Sequence, residues 1–230
     1  MQIAYDTYIY YFKLPDKGTF NLQVGQHIVI KGIFKKSVIT RPYTPINVSL
    51  AKRSFELIIK IYPKGKMSSL VSEWKVGNEI EMRGPYGCFT YVPNAYKRIV
   101  MLAGGTGIAP MYEVIQYILN NEEDYTKIHL LYSSKNFKDI LLREELLLLK
   151  SYWNFTMCHH LSQQESVCDK KYSEEVKLGR VTKQDVEEEI RKGCDGNSLV
   201  LISGTKSFDK DMMNAALNVS HGSESNIFKF

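Results

Sequence analysis

The stretch at residues 97–111, KRIVMLAGGTGIAPM, limits what this chain can fold into more than any other. Five apolar residues, Ile99 to Ala103, follow two cations and stop at Gly104-Gly105-Thr106-Gly107. Beyond the glycines, Ile108, Met111, Ile115 and Ile118 recur at spacings of three and four, the helix period. The stretch reads as buried strand, glycine turn and helix N-terminus. Such a turn lets a ligand approach bare backbone, and unpaired N–H groups with the helix dipole favour an anion there. It is not G-x-G-x-x-G, the dinucleotide fingerprint, and a βα turn with glycines only for close packing would read the same.

From about residue 94 strands and helices alternate. Strands are expected at 99–103, 128–133, 155–160, 199–203 and 227–230, and helices at 108–120, 140–150, 183–191 and 208–217. This order predicts an α/β domain with a doubly wound parallel sheet and helices on both faces. Ligands of such sheets bind at the carboxyl ends of the strands. Turns 104–107, 133–139 and 203–208 lie there.

Residues 5–62 carry strand signals throughout. Phe55, Leu57, Ile59 and Ile61 alternate with Glu56, Ile58, Lys60 and Tyr62, and turn residues at 15–18 and 47–52 separate the runs. Many short strands suggest a small antiparallel β-barrel. Its first strand begins almost at Met1, so barrel residues upstream are expected, as for a cut domain or short isoform. Arg41-Pro42-Tyr43-Thr44-Pro45 puts two prolines into a strand, which implies an edge or a groove. Ser68 or Ser69 is a candidate cap for a helix with Met67, Leu70, Val71 and Trp74 on one face, and Gly84 to Gly87 reads as a turn. The division is therefore a barrel domain at 1–93 and an α/β domain at 94–230.

With 44% hydrophobic and 24% charged residues the chain is globular. No apolar run approaches the roughly 20 residues of a membrane helix, and the start has no signal-peptide pattern. A net charge of +5 is too mild for a nucleic-acid binder. Cys88, Cys158, Cys168 and Cys194 form no C-x-x-C pair. Cys158-His159-His160 lies at a strand end, where neighbours face opposite ways. No metal site is expected, and the thiols read as free in a reducing compartment.

The motifs VGQHI, RPYTP, IKIY, GKMS, GPYG, AGGTGIAPM, LLYSSKNFKDILLREEL and IFKF follow one another along nearly the whole chain. In that order they resemble the ferredoxin-NADP-reductase-type flavoenzymes, specifically the NADH–cytochrome b5 reductase group. IKIYPKG, Phe208 and the C-terminal stretch are most similar to the reductase domain fused to cytochrome b5. The resemblance implies FAD on the barrel and NADH on the α/β domain. Arg41, with Pro42, would meet the FAD pyrophosphate, for which a permanently charged fork is suited. Tyr43 would lie flat on the flavin, and Thr44 would hydrogen-bond its N5 edge. Ile58, Lys60 and Tyr62 would line the groove, and Gly65, Lys66, Met67 and Ser68 would close on the diphosphate.

On the second domain Gly105, Thr106 and Pro110 match positions facing NADH, with Thr106 also bordering the flavin. Asp139 matches an acid that accepts from ribose hydroxyls and disfavours a 2′-phosphate; it also reads as a helix N-terminal acid before Ile140. Lys135 nearby keeps NADPH open. Gly204 and Phe208 complete the nicotinamide side. Where the family usually has C-G-P-P-P-M, this chain reads Ser203-Gly204-Thr205-Lys206-Ser207-Phe208. Ser203 replaces the cysteine beside the nicotinamide, so slower hydride transfer is expected. Thr44, Thr106 and Ser203 are the catalytic candidates.

The activity implied is hydride transfer from NADH to FAD, with single electrons passed to cytochrome b5 or another haem protein. The alternatives are a reductase module for an oxygenase and a non-catalytic flavin-binding module. A cytoplasmic monomer is expected, reaching the endoplasmic reticulum surface through a partner or an upstream segment.

Overall fold

The computed structural model describes residues 1–15, 21–49, 51–193, 197–219 and 226–230. Residues 16–18 of the first expected turn, part of the turn at 47–52, and Cys194 lie outside them. The chain forms two compact units, Met1–Thr90 and Tyr91–Phe230.

The first unit contains β1 (Gln2–Ala4), β2 (Thr7–Lys13), β3 (His27–Phe34), β4 (Ser37–Tyr43), β5 (Pro45–Ser49), β6 (Ser54–Lys60), α1 (Lys66–Val71) and β7 (Met82–Tyr86). The strands form two antiparallel sheets, ordered β1-β2-β6-β5 and β4-β3-β7. Ile28 and Ile30 from one, Phe55, Leu57 and Ile59 from the other, and Met67 and Val71 of α1 share one core. Burying such a side chain contributes about 1.5–3 kcal/mol. The prolines of RPYTP sit where expected, on β4 and β5, each at a sheet edge. Gly32 lies under α1, and a Cβ there would overlap Leu70.

Two local readings are corrected. The cap of α1 is Gly65, not a serine, and Trp74 falls beyond the helix. Ser68 accepts from the Tyr62 N–H at 3.0 Å, while Ser69 donates back to the Gly65 carbonyl at 3.2 Å. The glycine–proline pair at 84–85 belongs to β7, whose Arg83 and Met82 pair with Val29 and Ile30. β7 is an edge strand, where the N–H that proline lacks is not needed.

The second unit has β8 (Arg98–Gly104), a 3₁₀ turn (Gly105–Gly107), α2 (Ile108–Leu119), β9 (Lys127–Ser134), a 3₁₀ turn (Phe137–Asp139), α3 (Arg143–Leu149), β10 (Phe155–Leu161), β11 (Val176–Leu178), α4 (Lys183–Arg191), β12 (Ser198–Ser203), α5 (Lys206–Val219) and β13 (Ile227–Lys229). Six parallel strands run in the order β11-β10-β9-β8-β12-β13. Val100, Leu102, Leu131, Cys158, Val200 and Ile202 bury one face against Val186 of α4 and Met212 and Ala215 of α5. Ile99, Met101, Leu130 and Leu201, on the opposite face by alternation, are buried too, and α2 packs on β8 and β12. Helix α4 has the expected bounds, and Thr182 and Asp185 form a reciprocal capping box at its start.

The helix expected at 140–150 begins only at Arg143. Ile140, Leu141 and Leu142 are all buried, and Leu142 adopts left-handed φ 56°. Three consecutive buried residues cannot share one stripe of a helix. The short β11, within a charged stretch, carried no readable strand signal.

Candidate functional site

In the first unit the candidate residues gather around the start of α1. The helix packs on β3 and β4, so Gly65 to Ser68 stand beside the strand carrying Arg41, Pro42 and Tyr43. Arg41 is exposed, its guanidinium donating to the Thr40 carbonyl at 2.7 Å. Thr44 is half-buried between β4 and β5. Burial pushes the Tyr43 phenol up to about 12, against the opposing pull of Arg41, so the ring stays neutral.

The N-terminus of α1 has neither a side-chain cap nor an acid in its first turn. A Cβ at Gly65 would come 2.7 Å from the Ser68 hydroxyl, so only glycine leaves this backbone open. Bare N–H groups beside an exposed guanidinium suit a diphosphate. Met67 and Ser68 turn their side chains inward, leaving only main chain to offer. Ile58 is buried on β6, Tyr62 is half exposed, and Lys60 is held by Asp6 at 3.1 Å.

In the second unit three turns meet at the carboxyl edge of the sheet. Gly107 packs so closely on the chain after β12 that a Cβ would overlap the Ser203 carbonyl. At Gly104 and Gly204 a Cβ would meet the Phe208 ring at 3.2 Å and 2.6 Å. These three glycines serve packing. Gly105 differs: its φ is +54° and nothing lies within 4 Å of its Cβ position. Packing therefore accounts for Gly104 and Gly107 of the turn but not for Gly105. Thr106 beside it is half-buried, and Pro110 is buried in the first turn of α2, where its missing N–H has no helical partner to lose. Helix α2 has no side-chain cap and no first-turn acid.

Ser203 ends β12, nearly buried at 9% exposure, beside Ala103. Thr205 receives the Phe208 N–H at 3.4 Å. Asp139 closes the second 3₁₀ turn, whose Asn136 side chain accepts from the Lys138 N–H at 3.0 Å. It does not begin α3, which corrects its reading as a helix N-terminal acid.

Tyr132 was not singled out from the sequence. It is fully buried in β9, donates to the Gly105 carbonyl at 3.1 Å and accepts from the Leu141 N–H at 3.3 Å. Burial raises its pKa, so it stays protonated. One hydroxyl thus ties the open glycine turn to the segment after Asp139. The available signal was a tyrosine inside an apolar strand, since a buried phenol needs partners.

The Cys158-His159-His160 run also resolves. Cys158 lies on the α4 side, its thiol pushed up to about 11 by burial, and His160 has Asp185 of α4 at 4.0 Å. His159 points the other way, its ring 5.8 Å from that of Tyr132. No cluster of three or more potential metal ligands occurs among the described residues.

Residues 1–91 match the oxidoreductase FAD-binding domain and residues 101–215 the oxidoreductase NAD-binding domain. The chain is 36% identical to the human NADH-cytochrome b5 reductase-like protein, over 94% of its own length and 69% of that protein. It belongs to the NADH–cytochrome b5 reductase family. NADH-cytochrome b5 reductase 1 of Lodderomyces elongisporus is 49% identical over 146 residues, covering 63% of this chain and 49% of that protein. The chain thus spans about half of that yeast relative. The cytochrome b5 reductase domain of Ulva prolifera nitrate reductase superposes with a TM-score of 0.82 at 26% identity, covering all of this chain and 94% of that one. The two units are accordingly the FAD-binding and NAD-binding parts of an oxidoreductase. No helix among the described residues is long and apolar enough to cross a membrane.

Proposed function

We propose that this chain oxidises NADH and reduces a haem protein, cytochrome b5 by preference, through bound FAD. The observation that carries this reading is the contrast inside the glycine turn: Gly104 and Gly107 are spent on packing, while Gly105 leaves open backbone beside an uncapped α2. That is an anion-binding turn at the carboxyl edge of a parallel sheet. The family match of both units supports the same reading.

When bound, FAD supplies the conversion of a two-electron hydride into single electrons. The chain's own residues bind and orient. Arg41, supported by Pro42, and the N–H groups of Lys66, Met67 and Ser68 hold the diphosphate, while Gly65, whose own N–H goes to the Tyr62 carbonyl at 2.9 Å, keeps the backbone there open. Tyr43 offers its neutral ring and Thr44 its hydroxyl to the isoalloxazine, with Ile58, Lys60 and Tyr62 along the groove. Gly105, Thr106 and Pro110 receive the coenzyme, Asp139 its ribose, and Ser203, Gly204 and Phe208 the nicotinamide side. Ser203 fills the position of the usual cysteine with a smaller, more hydrated group, which slows hydride transfer relative to that cysteine. The working form is a cytoplasmic monomer without nucleic acid, acting near endoplasmic reticulum membranes.

Anaerobic NADH titration of the yellow holoprotein should bleach the flavin band, and ferric cytochrome b5 added next should be reduced. Retained flavin without bleaching would overturn the enzyme reading. Bleaching without haem reduction would overturn the acceptor alone.

A further inference from the structure

The hairpin of β3 and β4 turns through two residues, Lys35 and Lys36, between the paired Phe34 and Ser37. Both lysines take left-handed φ, 47° and 66°. Two-residue turns of this kind favour asparagine and glycine, and a lysine side chain gains nothing from that backbone. Both lysines are exposed, and Lys35 lies over the Phe34 ring at 5.6 Å. The sequence has no aspartate or glutamate from residue 21 to residue 55. Glu81, alongside β3, is held by Lys31 at 2.9 Å. The hairpin tip is thus basic and carries no carboxylate of its own.

Just before and after the turn, Ile33 and Val38 stand directly opposite each other across the ladder. They are 65% and 61% exposed, a β-branched pair left in water. By alternation they share the face of Lys31 and Thr40. The other face carries Gly32 beneath Leu70 of α1, and Ile39, Arg41 and Tyr43. The exposed pair therefore points away from the core and from the proposed flavin contacts.

We propose that this hairpin tip docks on an anionic lipid surface, with Ile33 and Val38 entering the headgroup boundary and Lys35 and Lys36 meeting the anionic headgroups. Charge complementarity selects an anionic partner, and shape selects a bilayer. A protruding tip suits a yielding plane, whereas a protein partner would have to offer a cleft to receive it. Lysine stems extend along apolar surface while their ammoniums stay at the headgroups. Basic residues with apolar neighbours give weak, reversible attachment. The surface is independent of the coenzyme chemistry.

The test is flotation of the FAD-loaded full chain with phosphatidylserine–phosphatidylcholine vesicles at low ionic strength. The chain should rise with them, stay behind with pure phosphatidylcholine, and be released by salt. Lys35→Asn with Lys36→Gly supplies the residues the turn prefers, so the hairpin keeps its fold while binding falls roughly tenfold or more. Ile33→Thr with Val38→Thr keeps charge and strand propensity and should weaken binding several-fold. Lys75→Gln with Lys170→Gln removes as many charges from exposed positions elsewhere and should bind nearly as well as the wild type. The proposal is overturned if the chain does not float, if pure phosphatidylcholine serves equally, or if both hairpin variants bind like the wild type. It falls too if the Lys75 and Lys170 variant loses as much as the lysine hairpin variant, since net charge would then explain the attraction. Unchanged flotation of the hairpin variants with slower reduction of ferric cytochrome b5 would make the tip a protein-docking surface and overturn the lipid assignment.

Discussion

In the first unit the proposed flavin contacts stand on edges: Arg41 and Pro42 are exposed on β4, and the start of α1 is uncapped. In the second unit the coenzyme turns are locked into the sheet, with Gly107 against the Ser203 carbonyl, Phe208 against two glycines, and Tyr132 bridging two segments. A charged side chain on an edge can be removed with little effect on folding. A turn held by main-chain contact cannot change without disturbing the sheet. Substitutions in the first unit should therefore act on ligand affinity, and those in the second on folding and affinity together.

The largest effect should follow Gly107→Ala. Ordinary overpacking costs about 1–3 kcal/mol, and here the obstacle is main chain, so the loss should reach or exceed that range. Gly105→Ala, in the same turn, adds only left-handed strain of roughly 1–2 kcal/mol. Thermal unfolding of the two variants measures the difference, and equal losses would break the packing account.

Acid should weaken the second unit next. Burial, with Arg143, Lys150 and His160 nearby, holds His159 down at about 4, against the upward pull of Glu174. Its folded value lies below the usual 6.5, so unfolding takes up a proton. This contribution is whole above pH 6.5 and is lost as pH falls through 6.5 towards 4. The loss is on the order of 3 kcal/mol across that window. His159→Gln should flatten the pH dependence of the melting temperature between those limits; an unchanged slope would remove His159 from the explanation.

Arg41→Ala should weaken FAD by about 1.5–3 kcal/mol, as for loss of a charge-assisted hydrogen bond, with the melting temperature of the apoprotein unmoved. Stoichiometric flavin after dialysis would show that Arg41 does not hold the diphosphate.

Smaller again is Tyr132→Phe, which keeps the ring but leaves the Gly105 carbonyl and Leu141 N–H without their partner. About 1 kcal/mol of coenzyme affinity should go, seen as a several-fold rise in KM for NADH with kcat and FAD content retained. A fall in kcat alone would mean that the hydroxyl serves a different step.

The smallest change expected is at Asp139. Asp139→Ala should move the kcat/KM ratio towards NADPH by a few-fold, within the range of an exposed charge–charge term. A wild-type preference for NADPH would reverse the assignment and direct attention to Lys135.

Periodicity and turn chemistry determined the architecture from the sequence alone. Alternating apolar residues marked β6 and the apolar run before the glycines marked β8, because each signal is local. The order of motifs carried the family, and the prolines of RPYTP placed two edge strands, since a missing N–H is a property of the residue itself. What local chemistry could not decide was set by contacts distant in sequence. Gly104, Gly105 and Gly107 carry the same letter, but two are obliged by Phe208 and Ser203, about a hundred residues away, and one by its own backbone angle. The start of α3 depended on Ile140 to Leu142 being buried on every side, and the strand character of β7 on β3 offering it a partner. Tyr132 belongs to the same class. Parallel strands bring residues from separate segments side by side, and only that arrangement turns an apolar-strand tyrosine into a bridge.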